Sequence, residues 1–143
     1  MKILYIMYRF PYPLDKGDKL RAYNQIRYLS KANDIYLCSV IDEPLLDAHY
    51  AEIEPFTKKI FKFKIKKSTF YKNLLLNFIS GRPLQNAYSF DKGIKKEIEQ
   101  IIKREAIDAA ICLMVRPAEY LTDASIPKLL DYQDAISIGF KRR

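Results

Sequence analysis

Glycine is scarce in this sequence. The 143 residues contain four, at positions 17, 81, 93 and 139. A dinucleotide-binding G-x-G-x-x-G turn needs three glycines within six residues, and a phosphate-binding P-loop needs a Gly-x4-Gly-Lys run. Neither fits, which sets aside nicotinamide binding and P-loop ATP hydrolysis. Cysteine and histidine are scarcer still: Cys38, Cys112 and His49. Each cysteine lies in an apolar, strand-like run, so buried thiols are expected rather than a disulfide. Two cysteines and one histidine cannot make a zinc site by spacing. His49 has no evident positioned partner and reads as a surface residue rather than a catalytic one. No metal or cofactor is expected. No apolar run approaches the ~20 residues of a membrane span. Met1–Met7 carry one lysine and no small-residue cleavage site follows, so no leader peptide is expected and the setting reads as cytoplasmic.

What is present is a core and an excess of positive charge. Hydrophobic residues make up 49% and charged residues 29%, the balance of a globular domain rather than a disordered chain. The length suits one domain. The net charge of +8 favours anionic partners: phosphorylated substrates, anionic lipid headgroups or nucleic acid.

The pattern alternates strands and helices. Residues 2–7 form a nearly continuous apolar run, as in a strand buried on both faces. Residues 9–18 form a loop with two prolines, Gly17 and two aspartates. Asp18 is expected to cap a helix over 19–32 whose stripe is Leu20, Tyr23, Ile26 and Leu29. A second apolar strand runs from Ile35 to Ile41, giving a βαβ unit. Segment 42–57 reads as a loop with one helical turn. Residues 60–66 alternate Phe61, Phe63 and Ile65 with Lys62, Lys64 and Lys66, a half-exposed edge strand. A helix over 69–80 ends at Gly81. Asp91 is expected to cap another, with Ile94, Ile98, Ile101 and Ile102 on its apolar face. Strands at 109–115 and 127–131 flank a helical turn at 117–121. These elements predict a Rossmann-like, doubly wound α/β domain of three layers with about five parallel strands, in the order 3-2-1-4-5. Ligands of such sheets bind beyond the carboxyl ends of the strands, so the loops after strands one, four and five are the ones to watch.

The first of these loops is the most informative. Gly17 just before a helix lets an anion approach backbone N–H groups, and Lys16, Lys19 and Arg21 add charge. A phosphate or sugar contact and an ordinary turn with an Asp18 cap are both open readings. Arg116 reads as a phosphate contact or a solvated cation. Asp131 and Asp134 read as acceptor-hydroxyl partners or as capping and solvated acids. Lys58–Lys72 holds seven lysines and no acid, interleaved with Phe61, Phe63, Phe70 and Tyr71. It reads as an edge whose lysines block strand pairing, or as a surface docking on an anionic membrane. Nucleic acid is the least favoured alternative, and no nucleic-acid partner is expected.

The run Phe10-Pro-Tyr-Pro-Leu-Asp-Lys-Gly-Asp-Lys-Leu-Arg-Ala-Tyr-Asn24, followed by a helix and an apolar strand, resembles the opening of family 4 glycosyltransferases of the GT-B fold. The resemblance is to the group associated with polysaccharide synthesis. Gly81-Arg82-Pro83-Leu84 with Tyr88, then Asp108–Val115, Glu119-Tyr120 and Leu130-Asp131-Tyr132-Gln133-Asp134, follow in the same order. The resemblance implies two facing Rossmann-like domains, of which residues 1–143 are the N-terminal, acceptor-side one, and a donor-binding domain that this stretch does not contain. It implies a nucleotide-sugar donor, a glycan or lipid-linked acceptor, no essential metal, and no transfer by this half alone. Gly17, with Lys16 and Asp18, would face the donor diphosphate; Lys19, Arg116 and Asp131 are the next candidates. Many family members carry a histidine after the fourth strand. Here the residues are Met114-Val115-Arg116-Pro117. An apolar face normally covered by the other domain would allow the chain to form a homodimer. A stand-alone, non-catalytic flavodoxin-like binding domain is the other reading. Its receiver-domain version is disfavoured because no acid follows the first strand until Asp15.

Overall fold

The first strand is apolar on both sides because it lies in the middle of the sheet. In the computed structural model, which describes residues 1–40, 46–65 and 90–132, β1 (Lys2–Met7) pairs in parallel with β2 (Asp34–Val40) on one side and β4 (Ala109–Leu113) on the other. β3 (Lys59–Phe63) pairs with β2, and β5 (Lys128–Asp131) pairs with β4. The order is β3-β2-β1-β4-β5, all parallel. This is the expected Rossmann-like α/β sheet, with strand order as read from the sequence. The expected helix at 69–80, the Gly81–Tyr88 segment, Lys66, Lys67, Lys72 and Asp134 lie outside the described residues.

Strand alternation divides the core in two. Leu4 and Ile6 face one layer, with Tyr36, Cys38 and Cys112, under α3 (Lys92–Glu105). Ile3, Tyr5 and Met7 face the other, with Ile35 and Leu37, under α1 (Gly17–Leu29). Both thiols are buried and free, as expected. Ile6 stands between them in register, paired with Cys38 on one side and Cys112 on the other.

α3 starts as its sequence dictates. Asp91 accepts from the backbone N–H groups of Gly93 (2.7 Å) and Ile94 (3.3 Å). Ile94, Ile98 and Ile101 are buried at the spacing of one helical face. Each side chain so buried contributes about 1.5–3 kcal/mol. The helix ends at Ala106, in a left-handed conformation (φ 53°) where glycine is usual.

α1 departs from the reading in two ways. Its N-cap position is Lys16, without a side-chain cap bond, and Asp18 lies inside the first turn. Asp18 therefore does not cap the helix. Its carboxylate pairs with Arg9 at 2.8 Å, and sits where negative charge complements the helix dipole. Of the expected stripe Ile26 is buried and Tyr23 and Leu29 pack against the core, but Leu20 is 46% exposed and Lys19 and Ala22 are buried instead. A lysine can take the core-facing position because its four-carbon stem is apolar and its ammonium reaches Asp15, 3.2 Å away.

The remaining elements are short. Segment 46–57 holds α2 (Asp47–Ala51) and a 3-10 turn (Glu54–Phe56). β4 stops at Leu113, two residues before the expected end, because Met114 turns to φ 71°. A second 3-10 turn (Arg116–Leu121) then packs Tyr120 and Leu121 into the α3 side of the core. Among the described residues no helix is long and apolar enough to cross a membrane.

Candidate functional site

β1 connects to β2 on one side of the sheet, and β4 lies on the other. The loops leaving the carboxyl ends of β1 and β4 therefore diverge, and a crevice opens between them. It is small, about 60 Å³, and is lined by Met7, Tyr8, Arg9, Asp18, Leu113, Met114 and Arg116.

Two cations and one acid supply its charge. Arg9 donates from Nη1 to Asp18 Oδ2 at 2.8 Å. The Arg9 side chain remains 39% exposed while that of Asp18 is 11% exposed, so the carboxylate is largely covered and the guanidinium faces outward. The Arg116 guanidinium lies 5.6 Å from the centre of the Tyr8 ring, a cation–π contact. Among the described residues it has no acidic partner.

Met114, between β4 and Arg116, is held left-handed from two sides. Its N–H donates to the Asp131 carbonyl at 2.8 Å, and its own carbonyl accepts from Cys112 Sγ at 3.3 Å. A side-chain-bearing residue pays about 1–2 kcal/mol for this conformation. Such strain concentrates where a structure fixes functional geometry.

The six residues singled out from the sequence do not all meet. Asp18 and Arg116 line the crevice. Lys16 and Gly17 are exposed at the start of α1, outside that lining. Lys19 is 1% exposed and engaged with Asp15, so its ammonium is turned away from any solvent-borne ligand. Asp131 is neither a cap nor a solvated acid. It accepts from Arg21 Nε (2.8 Å) and Nη2 (3.0 Å) and from Gln25 Nε2 (2.9 Å). Gln25 in turn accepts from the hydroxyl of buried Tyr5. Burial raises the Tyr5 hydroxyl above its ordinary pKa, and the nearby Asp131 charge adds to this. The phenol thus stays a donor, and the chain Tyr5–Gln25–Asp131–Arg21 ties α1 to β5 across the sheet.

Arg9, Tyr8 and Met114 escaped the sequence reading. Arg9 carried a usable signal: it is the first cation beyond the carboxyl end of β1. Met114 carried none, since a positive φ at methionine is invisible in sequence. The His49 ring lies tilted beside that of Tyr12, ring centres 5.7 Å apart, and its Nδ1 accepts from the Leu46 N–H at 3.4 Å, a local contact at the start of α2. Among the described residues no three His, Cys, Asp or Glu side chains gather as a metal site.

The lysines of the β3 edge are mostly engaged within the protein. Lys59 pairs with Glu105 at 2.8 Å, Lys58 approaches Asp34 at 3.8 Å, and Lys62 sits over the Tyr50 ring at 4.2 Å. An open concavity of about 300 Å³, lined by Tyr50, Glu54, Thr57, Ile60 and these three lysines, runs along the edge.

No family model matches the chain, and no curated protein matches it.

Proposed function

We propose that this chain is the acceptor-side half of a glycosyltransferase that takes sugar from a nucleotide-sugar donor. One observation carries the reading. The run Phe10–Asn24, which resembles the opening of family 4 transferases, forms the loop and first helical turns beside the switch-point crevice, and its Asp18 lines that crevice. Phe10 is fully buried and anchors the loop against the core. Gly17 and Lys16 lie exposed at the amino end of α1, where backbone N–H groups can receive the donor diphosphate from an opposing domain. In the reaction the bond from the anomeric carbon to the diphosphate oxygen breaks, a bond to an acceptor oxygen forms, and the acceptor hydroxyl loses its proton. The basic stretch Lys58–Lys72 would serve to dock on an anionic cytoplasmic membrane face if the acceptor is lipid-linked.

The test is transfer from radiolabelled UDP- and GDP-sugars by the protein encoded by the complete native reading frame. The reading expects turnover with one donor, and loss of at least a hundredfold in Gly17→Trp, whose indole would fill the approach to α1. Absence of transfer with every donor, or full activity in Gly17→Trp, would refute it. Absence of transfer would favour a non-catalytic binding domain.

A further inference from the structure

We infer that the crevice between β1 and β4 is a phosphate site, in which Arg9 and Arg116 together hold a phosphate or diphosphate group. The inference rests on the glycosyltransferase reading only for the identity of the molecule that carries the phosphate. The crevice itself supplies the chemistry. Two guanidiniums and one carboxylate line it, leaving one positive charge in excess at the mouth of the sheet. Arg116 lies 5.6 Å from the centre of the Tyr8 ring, and a guanidinium offers a fork of N–H donors that suits two oxygens of one phosphate. Arg9 gives Nη1 to Asp18, and among the described residues no further acceptor takes its other donors. Asp18 thereby orients Arg9 without occupying the whole fork. The left-handed Met114, pinned by Cys112 and Asp131, sets where the chain turns toward Arg116. A neutral sugar needs none of this charge, whereas a phosphoryl oxygen uses all of it.

Two phosphate sources share this chemistry: a nucleoside diphosphate from the donor, and a lipid-linked phosphate on the acceptor. Titration calorimetry of the 143-residue chain at low salt, with inorganic pyrophosphate, UDP and farnesyl diphosphate as separate probes, distinguishes them. Pyrophosphate is expected to bind one to one. Arg116→Gln should weaken it at least tenfold, while Lys96→Gln, an equal charge loss on the exposed face of α3, should leave it unchanged. Circular dichroism verifies that each variant is folded, and Arg116→Lys, which keeps charge but not the fork, should fall between. Tighter binding of farnesyl diphosphate than UDP assigns the site to the acceptor, and the reverse assigns it to the donor. Absence of saturable pyrophosphate binding, or equal weakening by Arg116→Gln and Lys96→Gln, overturns the site. Pyrophosphate binding by a protein whose full reading frame transfers no sugar would sink the enzyme reading and leave this site standing.

Discussion

Lys19 shows how a single residue mislead a pattern. Hydrophobic periodicity scores lysine as polar and so expects Leu20 in the stripe of α1, where the structure has Lys19; Tyr23, Ile26 and Leu29 face the core as expected. The structure buries the lysine stem and spends its charge on Asp15. Glu105 makes the same kind of local use of charge. Its carboxylate accepts two bonds from Lys59 Nζ (3.0 and 2.8 Å) and one from Arg104 Nε (3.0 Å), and these contacts, Lys59 first, hold it below the ordinary glutamate pKa of 4.5. A depressed carboxylate contributes stability that is present above its unfolded pKa and lost as pH falls through the folded one. Glu105→Gln should therefore destabilise at pH 7, and its deficit against wild type should shrink as the pH falls below about 4.5; urea unfolding at a series of pH values measures this, and a deficit constant with pH would contradict it. The buried thiols behave oppositely. Desolvation pushes Cys112 up to about 12 and Cys38 higher still. Neither should react with a disulfide-exchange reagent at pH 8 in the native state, and both should react in denaturant.

At the scale of elements, the sequence was most legible where one physical rule acts alone. Asp91 before an Ile94-Ile98-Ile101 face predicts a capped amphipathic helix, and α3 is that helix. Continuous apolar runs predict central strands, and β1 and β2 are buried as such. Legibility ended where partners come from distant segments. Asp131 at the end of β5 reads as an acceptor-hydroxyl partner or as a capping or solvated acid, yet it meets Arg21 and Gln25, over 100 residues earlier in the chain. Only the folded topology brings these together. Asp131→Ala should cost about 1–2 kcal/mol, the worth of charge-assisted bonds discounted for the half-exposed Arg21; Ile98→Ala, at a fully buried α3 position, should cost about 2–5 kcal/mol. Guanidinium unfolding orders the two, and a larger loss for Asp131→Ala would mean that the α1–β5 clamp outweighs the packing of α3. Ala106→Gly, which removes the side chain from a left-handed helix end, should stabilise by about 1 kcal/mol.

At the scale of the molecule, the strand order β3-β2-β1-β4-β5 matters more for function than any one motif, because it fixes where the connections part. The sequence located the sheet and its carboxyl end, and placed Asp18 and Arg116 there. It could not show that Arg9 folds back onto Asp18, or that Lys19 turns inward. The candidate site therefore narrows to the crevice beside the glycine-bearing turn, with Arg9, Arg116 and Tyr8 as its polar wall. The most direct measurement is a ¹⁵N–¹H NMR titration of the chain with pyrophosphate and with a nucleotide sugar. This account predicts shifts clustered on Tyr8, Arg9, Asp18, Met114 and Arg116. Shifts confined to the β3 edge around Lys58 and Lys62, or none at all, would contradict it.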